Sequence, residues 1–266
     1  MSPPVFHLPA AAEVLIGEQC VLDGAEGRHA SVVRRVRSGE HLVLTDGCGV
    51  RAEVAVTSVE RGRVLCRVLT VQSVERAAPF VTVVQAIPKG DRGELAVDLL
   101  TEVGVDQIVP WQAERCVSRW QGAKVERGRA KWAGTAREAA KQSRRIWWPV
   151  VEPVAETAKV IDYAREAEMC LVLHEAATEG LTQVIAAVLP PATGRVLIVV
   201  GPEGGISPAE LSELERVGGT AVRLGPTVLR TSTAGVVAAT LVLGASPAWG
   251  RRLGRQPEGS IGDNER

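Results

Sequence analysis

The chain has 266 residues, and its 31 lysine and arginine residues balance 31 aspartate and glutamate residues. Hydrophobic residues make up 45% and charged residues 23%, as in an ordinary globular protein with one large or two modest domains. No stretch reaches the roughly 18 uninterrupted apolar residues of a membrane span, and the N-terminus lacks the pattern of a signal peptide. These features exclude a membrane-spanning chain, and we expect a cytoplasmic location.

The cysteines and histidines are too scattered to suggest a cluster. Five cysteines are widely separated and include no C-x-x-C pair, and the four histidines have no metal-ligand spacing. This distribution indicates neither a zinc site nor a disulfide framework. We therefore expect no bound metal, and free thiols in a reducing compartment.

The first part of the chain has the pattern of short strands. Residues 50–57 alternate apolar and polar side chains, as in a half-buried strand, and residues 63–71 alternate in the same way. Arg61 and Gly62 between them form a typical turn sequence. We therefore predict a first domain over residues 1–74 that is a small antiparallel β-barrel or sandwich.

From Phe80 onward, apolar strands alternate with helices. An apolar run over 80–87 precedes a helix that Asp91 is placed to cap and Gly104 is placed to end. Further strands are predicted at 105–111, 170–173, 195–200 and 221–224, and helices at 181–188 and 233–244. This alternation predicts a mostly parallel α/β sheet covered on both faces, in a second domain over 75–250. The polar residues 251–266 are expected to form a loose tail.

Basic residues are concentrated in two stretches. Between Arg115 and Arg145, ten lysine and arginine residues and two acidic residues give a net charge of +8, which leaves −8 for the remainder. This segment is predicted to be helical, and residues 28–37 to form a short basic helix beside the first domain. A basic strip on a neutral protein favours a polyanionic partner, and a solvated helix face is the alternative.

Two loops after predicted strands have unusual sequences, and ligands of parallel α/β sheets collect at such strand ends. The first, from Gly201 to Ile206, has three glycines in five residues, which allow close approach of the backbone to a ligand. Ser207 and Glu210 form a capping-box pattern behind it, with Pro208 at the first helical position. The loop matches neither a dinucleotide-binding fingerprint nor a Walker loop. By itself it leaves a tight turn without a ligand as the alternative.

The second loop joins the strand at 221–224 to a nearly all-apolar helix, which needs burial on every side. Arg230 lies in a short polar stretch at the start of this helix. A lone arginine there is either a clamp for phosphate or carboxylate or a partner in a structural ion pair. The sequence of the loop leaves both roles open.

At these loops the chain is similar to the SPOUT methyltransferases, and specifically to the RsmE family, which makes 3-methyluridine in small-subunit ribosomal RNA. The resemblance extends over roughly residues 5 to 245. The blocks that carry it are His29-x-x-x-Val33-x-Arg35 with a following LTDG turn, AIPKGDRGELAVDLLTEVGVDQIVPWQAERC, VLIVVGPEGGISPAEL and VRLGPTVLRTSTAG.

The resemblance implies a PUA-like N-terminal β-barrel and a C-terminal SPOUT α/β domain with a deep trefoil knot. Knots are so rare that periodicity cannot predict one. It further implies a homodimer that binds S-adenosyl-L-methionine at the knot. By position, it assigns cofactor binding to Leu173, His174, Gly201, Glu203, Gly205, Ile206, Leu224, Gly225, Leu229 and Thr233.

The implied reaction is methylation of uridine N3 in 16S rRNA of the small ribosomal subunit. Arg230 is a poor base because a guanidinium stays protonated, so we expect it to stabilise negative charge on the uracil oxygens. The proton acceptor is open between Glu203, as a second catalytic residue, His174 and water. The residues expected to bind RNA are Arg28, His29, Arg34, Arg35, Lys89, Arg92, Arg115, Arg144 and Arg145.

The chain departs from the family pattern at two places. Family members usually read R-T-E-T where this chain has Ser232 in third position, and E-Q-C-G-R where it has residues 141–145. Two alternatives to uridine N3 methylation are kept open. One is a SPOUT enzyme that methylates the ribose 2′-oxygen, and the other is a non-catalytic RNA-binding factor in ribosome assembly, which the absent carboxylate at Ser232 would suit.

Overall fold

The structure is a computed structural model that describes residues 3–188, 194–246 and 249. The tail predicted for residues 251–266 lies outside the described residues. In the described part of the chain, no helix is both long and apolar enough to cross a membrane.

The N-terminal part forms a five-stranded sheet in the order β1-β3-β4-β5-β2. Its strands are β1 (Val5–His7), β2 (Gln19–Leu22), β3 (His41–Thr45), β4 (Val50–Glu60) and β5 (Arg63–Ser73). The strands predicted over 50–57 and 63–71 are confirmed, and Gly62 takes the left-handed conformation (φ 83°) in the turn between them. The predicted antiparallel pairing holds except between β1 and β3, which run parallel.

The short basic helix begins and ends earlier than predicted. Helix α1 (Gly24–Arg28) continues into one π-helical turn over His29–Val33. The helical segment thus lies four residues before the predicted range of 28–37. Its end follows from Arg35, whose left-handed backbone (φ 54°) redirects the chain so that the next residue, Val36, is buried.

The second sheet has six strands, all parallel, in the order β11-β9-β10-β6-β7-β8. They are β6 (Phe80–Ala86), β7 (Gln107–Trp111), β8 (Val150–Val151), β9 (Met169–Leu173), β10 (Arg195–Val200) and β11 (Gly219–Val222). The helices are α2 (Arg92–Val103), α3 (Ala123–Gln142), α4 (Thr157–Glu166), α5 (Leu181–Ala187), α6 (Pro208–Arg216) and α7 (Thr231–Gly244). Because β10 lies between β6 and β9, strands far apart in sequence become neighbours.

Both faces of the parallel sheet are buried, as the sequence predicts. Val83 of β6 belongs to a core formed with α2, α3 and α7, whereas the next residue, Val84, belongs to a core formed with α4 and α6. Successive side chains of a strand point to opposite faces, so a strand covered on both sides reads as a continuous apolar run. The N-terminal sheet has a separate core.

Three details differ from the sequence predictions. Asp91 lies at the N-cap of α2 as predicted, but its side chain makes no capping hydrogen bond, and Gly104 ends the helix with φ 112°. Strand β11 begins and ends two residues before the predicted range, and its first residue, Gly219, pairs with Cys170 of β9. Helix α4 was not predicted, although Val160, Ile161 and Ala164 form its buried face.

The turn between β3 and β4 packs against two tryptophans that follow α3. A Cβ on Gly47 would lie 2.8 Å from the ring of Trp148, and one on Gly49 would lie 2.5 Å from the ring of Trp147. The indole N–H of Trp147 also donates to the carbonyl of Val74 at 2.8 Å. Glycine is therefore required in this turn to attach the N-terminal sheet to the chain after α3.

Internal contacts engage part of the basic segment. Lys141 is buried, and its ammonium lies 2.9 Å from Glu26 of α1, while Lys131 lies 3.1 Å from Glu94 of α2. These lysines neutralise acids of the protein itself. The net charge of +8 therefore overstates the positive charge that faces solvent.

Arg145, which the sequence assigns to RNA binding, is half-buried, and its guanidinium makes contacts within the fold. Its guanidinium lies 3.7 Å from Asp106 and donates to the carbonyls of Thr101 and Val105 at the end of α2. Burial lowers the pKa of Arg145 to about 10 and raises the pKa of Asp106. Desolvation thus opposes both charges, and each depends on the other to remain in the interior.

We predict that Arg145→Ala lowers the free energy of unfolding by about 3–5 kcal/mol, because it leaves Asp106 as an unpaired buried charge. Urea denaturation measures this loss. The matched control is Arg137→Ala, an exposed arginine of α3, which should change stability by less than about 0.5 kcal/mol. Equal stability of the two variants would contradict the structural role of Arg145.

Candidate functional site

Loops after four neighbouring strands meet at one edge of the parallel sheet. Strands β9, β10 and β6 end at Leu173, Val200 and Ala86, and β11 ends beside β9 at Val222. Parallel strands present their carboxyl ends at the same edge, where ligands of such sheets bind. The two glycine-containing loops of the sequence analysis follow β10 and β11, so the fold brings them to this edge.

The loop after β10, residues 201–206, is shaped by its glycines. A Cβ on Gly201 would lie 2.7 Å from the side chain of Ile206, so the buried isoleucine folds directly over the loop's first residue. Gly205 has φ 73°, and a Cβ there would meet no atom within 4 Å. The loop therefore presents bare backbone to open space, which suits a bound ligand.

A buried carboxylate fixes the helix start behind this loop. The capping box predicted for Ser207 and Glu210 is confirmed, with Ser207 Oγ accepting from the Glu210 amide and Glu210 Oε2 from the Ser207 amide. Glu210 Oε1 further accepts from the amide of Glu114 at 2.9 Å and the hydroxyl of Thr157 at 2.8 Å. One side chain thus joins the glycine loop to the segment after β7 and to α4, and these contacts between distant residues could not be read from the sequence.

The loop after β11 leads into α7 through Arg230. The carbonyl of Arg230 accepts the amide hydrogens of Thr233 and Ala234, and its side chain is exposed. Within the described residues, its guanidinium has no acidic partner. Leu224 and Leu229 pack against the core, whereas a Cβ on Gly225 would meet nothing within 4 Å. Within the described residues the structural ion pair is therefore not formed, and the clamp for phosphate or carboxylate stays a prediction.

Gln85 connects the start of α7 to the sheet, and the sequence analysis missed it. This fully buried residue of β6 donates from Nε2 to the carbonyls of Thr231 and Ala86, both at 3.2 Å. Its Oε1 is a buried polar atom without a hydrogen-bond partner in the described structure. Gly235 of α7 packs against it, since a Cβ there would lie 3.4 Å from Oε1.

The end of β9 places His174 beside these loops. Its backbone amide donates to Val222 of β11, and its Nδ1 accepts from the amide of Ala176 at 3.3 Å. A ring nitrogen that accepts a hydrogen bond carries no proton, so the neutral imidazole holds its proton on Nε2. Leu173 packs against the core at the same strand end.

Three residues expected to bind RNA contact the glycine loop. Glu203 Oε1 accepts from the amide of Lys89 at 3.1 Å and lies 3.9 Å from the guanidinium of Arg92. Arg115 donates to the carbonyl of Gly204 at 3.3 Å. These contacts tie the loops after β6 and β7 to the loop after β10.

The remaining candidates for RNA binding lie at other places. Arg28, Arg34 and Arg35 are exposed beside the N-terminal sheet, and Arg144 is exposed after α3. His29 is half-buried, with its ring at 5.6 Å from that of Phe6 in an edge-on contact. The side chain of His29 therefore contributes to packing, and the four arginines offer free charge.

Within the described residues, no group of three or more His, Cys, Asp or Glu is placed to hold a metal ion. All five cysteines are free thiols, of which Cys48 is exposed and the other four are buried. Burial raises the pKa of Cys170 to about 12, so this thiol stays protonated at neutral pH.

Comparison with known proteins defines the class. Residues 76–243 match the model of a family described as an RNA methyltransferase domain. The match covers both loops at the strand ends and the whole parallel sheet. The chain is therefore an RNA methyltransferase by class.

More specific relatives define the family. The chain is 50% identical to the ribosomal RNA small subunit methyltransferase E of Mycobacterium tuberculosis (84% of this chain, 85% of that one) and 31% identical to that of Bacillus subtilis (83% and 88%). It belongs to the ribosomal RNA small subunit methyltransferase E family.

Two solved structures are similar over nearly their whole length. A methyltransferase from Legionella pneumophila with bound SAM has a TM-score of 0.82 at 28% identity (92% of this chain, 99% of that one). The ribosomal RNA small subunit methyltransferase E of Neisseria gonorrhoeae, bound to S-adenosyl methionine, has a TM-score of 0.78 at 27% identity (91% and 98%).

We predict that Glu210→Ala lowers the free energy of unfolding by about 3 kcal/mol or more. It leaves the buried amide of Ser207, the part-buried amide of Glu114 and the hydroxyl of Thr157 without this acceptor, and the loss of a buried partner costs about 1–3 kcal/mol. Thermal and urea unfolding measure the effect. Glu215→Ala, an exposed acid of the same helix, is the control and should leave stability nearly unchanged. If the two variants are equally stable, Glu210 does not hold the site together.

Proposed function

We propose that the chain methylates N3 of a uridine in 16S ribosomal RNA of the small subunit, with S-adenosyl-L-methionine as the methyl donor, in the maturation of the ribosome. The observation that carries the proposal is the pair of loops with open glycines after β10 and β11, the two strands that flank β9. The proposal is supported by membership of the family and by two solved structures of similar fold that contain this cofactor.

The residues that would hold the cofactor lie on three loops. Gly205 and Gly225 fit it because each faces open space that a side chain would narrow. The proposed binding set is Leu173, His174, Gly201, Glu203, Gly205, Ile206, Leu224, Gly225, Leu229 and Thr233. When bound, S-adenosyl-L-methionine supplies an activated methyl group, so the protein has mainly to orient the nucleophile.

Arg230 is the proposed catalytic residue. Uracil N3 becomes nucleophilic when its proton leaves, and negative charge then spreads onto the carbonyl oxygens. A permanently charged guanidinium stabilises that charge without itself losing a proton. Its exposed position at the start of α7 and its lack of an acidic partner in the described chain leave it available.

Water is the proposed proton acceptor, because both side-chain candidates are engaged. The carboxylate of Glu203 accepts from Lys89 and faces Arg92, which assigns it to holding the loops together. The Nδ1 of His174 is occupied by an amide hydrogen, and its Nε2 carries the ring proton in the neutral form. Each side-chain candidate thus already accepts a hydrogen bond from a backbone amide of this chain, and water is the remaining choice.

The architecture implied by the family supports this function. We propose a PUA-like barrel over residues 1–74, a SPOUT domain over 75–250 and a knot at the cofactor site. Helix α7 begins beyond the edge strand β11 yet packs against α2 and β6, so the chain returns across the strand ends as a knot requires. The exposed side chains of Val228 and Val237 near this site supply apolar surface for the proposed homodimer.

One experiment separates the proposal from its alternatives. The protein is incubated with labelled S-adenosyl-L-methionine and unmodified small subunits, and the modified nucleoside is identified. Label in 3-methyluridine is the expected result. Label in a 2′-O-methylated nucleoside would show the ribose enzyme instead. No transfer together with no cofactor binding in calorimetry would show the non-catalytic assembly factor, in which Ser232 replaces a needed carboxylate.

We predict that Arg230→Ala lowers kcat about a hundredfold and leaves the Kd for the cofactor unchanged, because the charge it stabilises exists only during the reaction. Single-turnover methylation and calorimetry measure the two quantities separately. Arg223→Ala, which removes an exposed arginine from the same loop, is the control. Unchanged turnover of Arg230→Ala would remove this residue from the mechanism.

We predict that the triple variant Arg34→Gln/Arg35→Gln/Arg144→Gln binds RNA more weakly and with less salt dependence. Loss of three phosphate contacts should reduce the slope of log Kd against log salt by about 2. The matched control removes three exposed charges from α4 and α6 through Lys159→Gln/Arg165→Gln/Arg216→Gln. If both triple variants keep the wild-type slope, the arginines are bystanders.

A further inference from the structure

A cavity of about 270 Å³ lies where the loop after β6 meets α3. Its lining includes the buried residues Ile87 and Trp132, the half-buried ring of Trp120 and the exposed side chains of Lys124 and Arg127. None of these residues belongs to the proposed cofactor site. The volume is at the lower limit of ligand cavities, about 300 Å³, so it suits one group of the size of a nucleobase.

One side of the cavity is formed by residues that also contact the loop after β10, residues 201–206, which we call the cofactor loop. Pro88 and Gly90 line the cavity, while Lys89 between them donates its amide hydrogen to Glu203 of the loop after β10. Only the backbone of residues 88–90 therefore separates a group bound in the cavity from the loop after β10, where we place the cofactor. The cavity is placed for a neighbour of the methylated nucleotide.

Trp120 is held in position from both its backbone and its ring. Its amide donates to Gln112 Oε1 at 2.9 Å, and its ring meets that of Trp132 edge-on at 5.2 Å. The ring also lies directly on α3 at Gly128, where a Cβ would come within 2.5 Å of it. A fixed aromatic ring loses little conformational entropy when a base stacks on it.

The charge of the lining matches a phosphate. Lys131 is already paired with Glu94 at 3.1 Å, so it contributes little free charge. Lys124 and Arg127 have no acidic partner within the described residues. One aromatic ring with two free cations is the combination that binds an unpaired nucleotide, with the base on the ring and the phosphate on the cations.

We propose that this cavity binds one unpaired nucleotide of the RNA substrate, adjacent in the strand to the nucleotide that is methylated. Its base stacks on Trp120, and its phosphate contacts Lys124 and Arg127. The inference rests on the proposed function, since it requires the chain to bind RNA. It assigns a role to residues that neither the loops nor the family resemblance singled out.

The test measures binding of a fluorescein-labelled, single-stranded RNA of ten nucleotides by anisotropy. Trp120→Ala should raise Kd about tenfold through loss of stacking, and Trp120→Phe should restore most of the affinity. Arg127→Gln should raise Kd severalfold more than the matched control Arg137→Gln, which removes one exposed charge of α3 outside the cavity. RNA should also quench tryptophan fluorescence less in Trp120→Phe than in the wild type.

Because Trp120 packs against Trp132, its loss could lower stability, and the exposed Arg127 provides an independent arm. Equal Kd values for Arg127→Gln and Arg137→Gln, or equal quenching in Trp120→Phe and wild type, would overturn the proposal. If only this proposal fails, the wild-type protein still methylates small subunits. If the proposed function itself fails, the wild-type protein transfers no methyl group.

Discussion

The carboxylate of Glu210 is the constraint on which the site depends. It is buried, and its two oxygens accept from Ser207 behind the glycine loop, from Glu114 after β7 and from Thr157 of α4. A buried carboxylate with several donors resists displacement, because each donor would otherwise lose this acceptor. The cofactor loop and the segment that carries Trp120 are thereby fixed to the same side chain. Their relative position is set before any ligand arrives.

The charge of the basic segment illustrates a limit of sequence reasoning. A count of residues cannot distinguish a lysine that neutralises a buried acid from one that faces solvent. Lys141 and Arg145 pair with Glu26 and Asp106, and these acids lie 115 and 39 residues away in sequence. Only the fold brings them together, so the sequence could not show that Arg145 pairs with Asp106. The positive charge of α3 that faces solvent is therefore confined to a smaller part of the helix, at its first turns and its exposed face.

The predictable features of the fold are those determined by local sequence. Periodicity predicted most strands of the parallel sheet and the helices α2 and α7, and the pattern Ser207-x-x-Glu210 predicted the start of α6 because a capping box is a contact between residues three apart. The roles of Gln85 and Trp120 were not predictable in this way. Gln85 is defined by its hydrogen bond to Thr231, 146 residues later, and Trp120 by ring contacts with Gly128 and Trp132, which require the chain before α3 to fold back along that helix. For Gln85, the signal available in the sequence was a single glutamine in an otherwise apolar strand.

The segment 87–90 explains how the parts of the site act on one another. It borders the cavity on one side and bonds to Glu203 on the other, and α2 begins immediately after it. Gly93 in the first turn of α2 packs on the ring of Trp132, where a Cβ would lie 2.7 Å from the indole. This close contact leaves the segment little freedom to move without shifting the tryptophan pair or the cofactor loop. RNA bound in the cavity, as we propose, would therefore contact the same backbone that positions Glu203, and the proposed substrate and cofactor sites would share this segment.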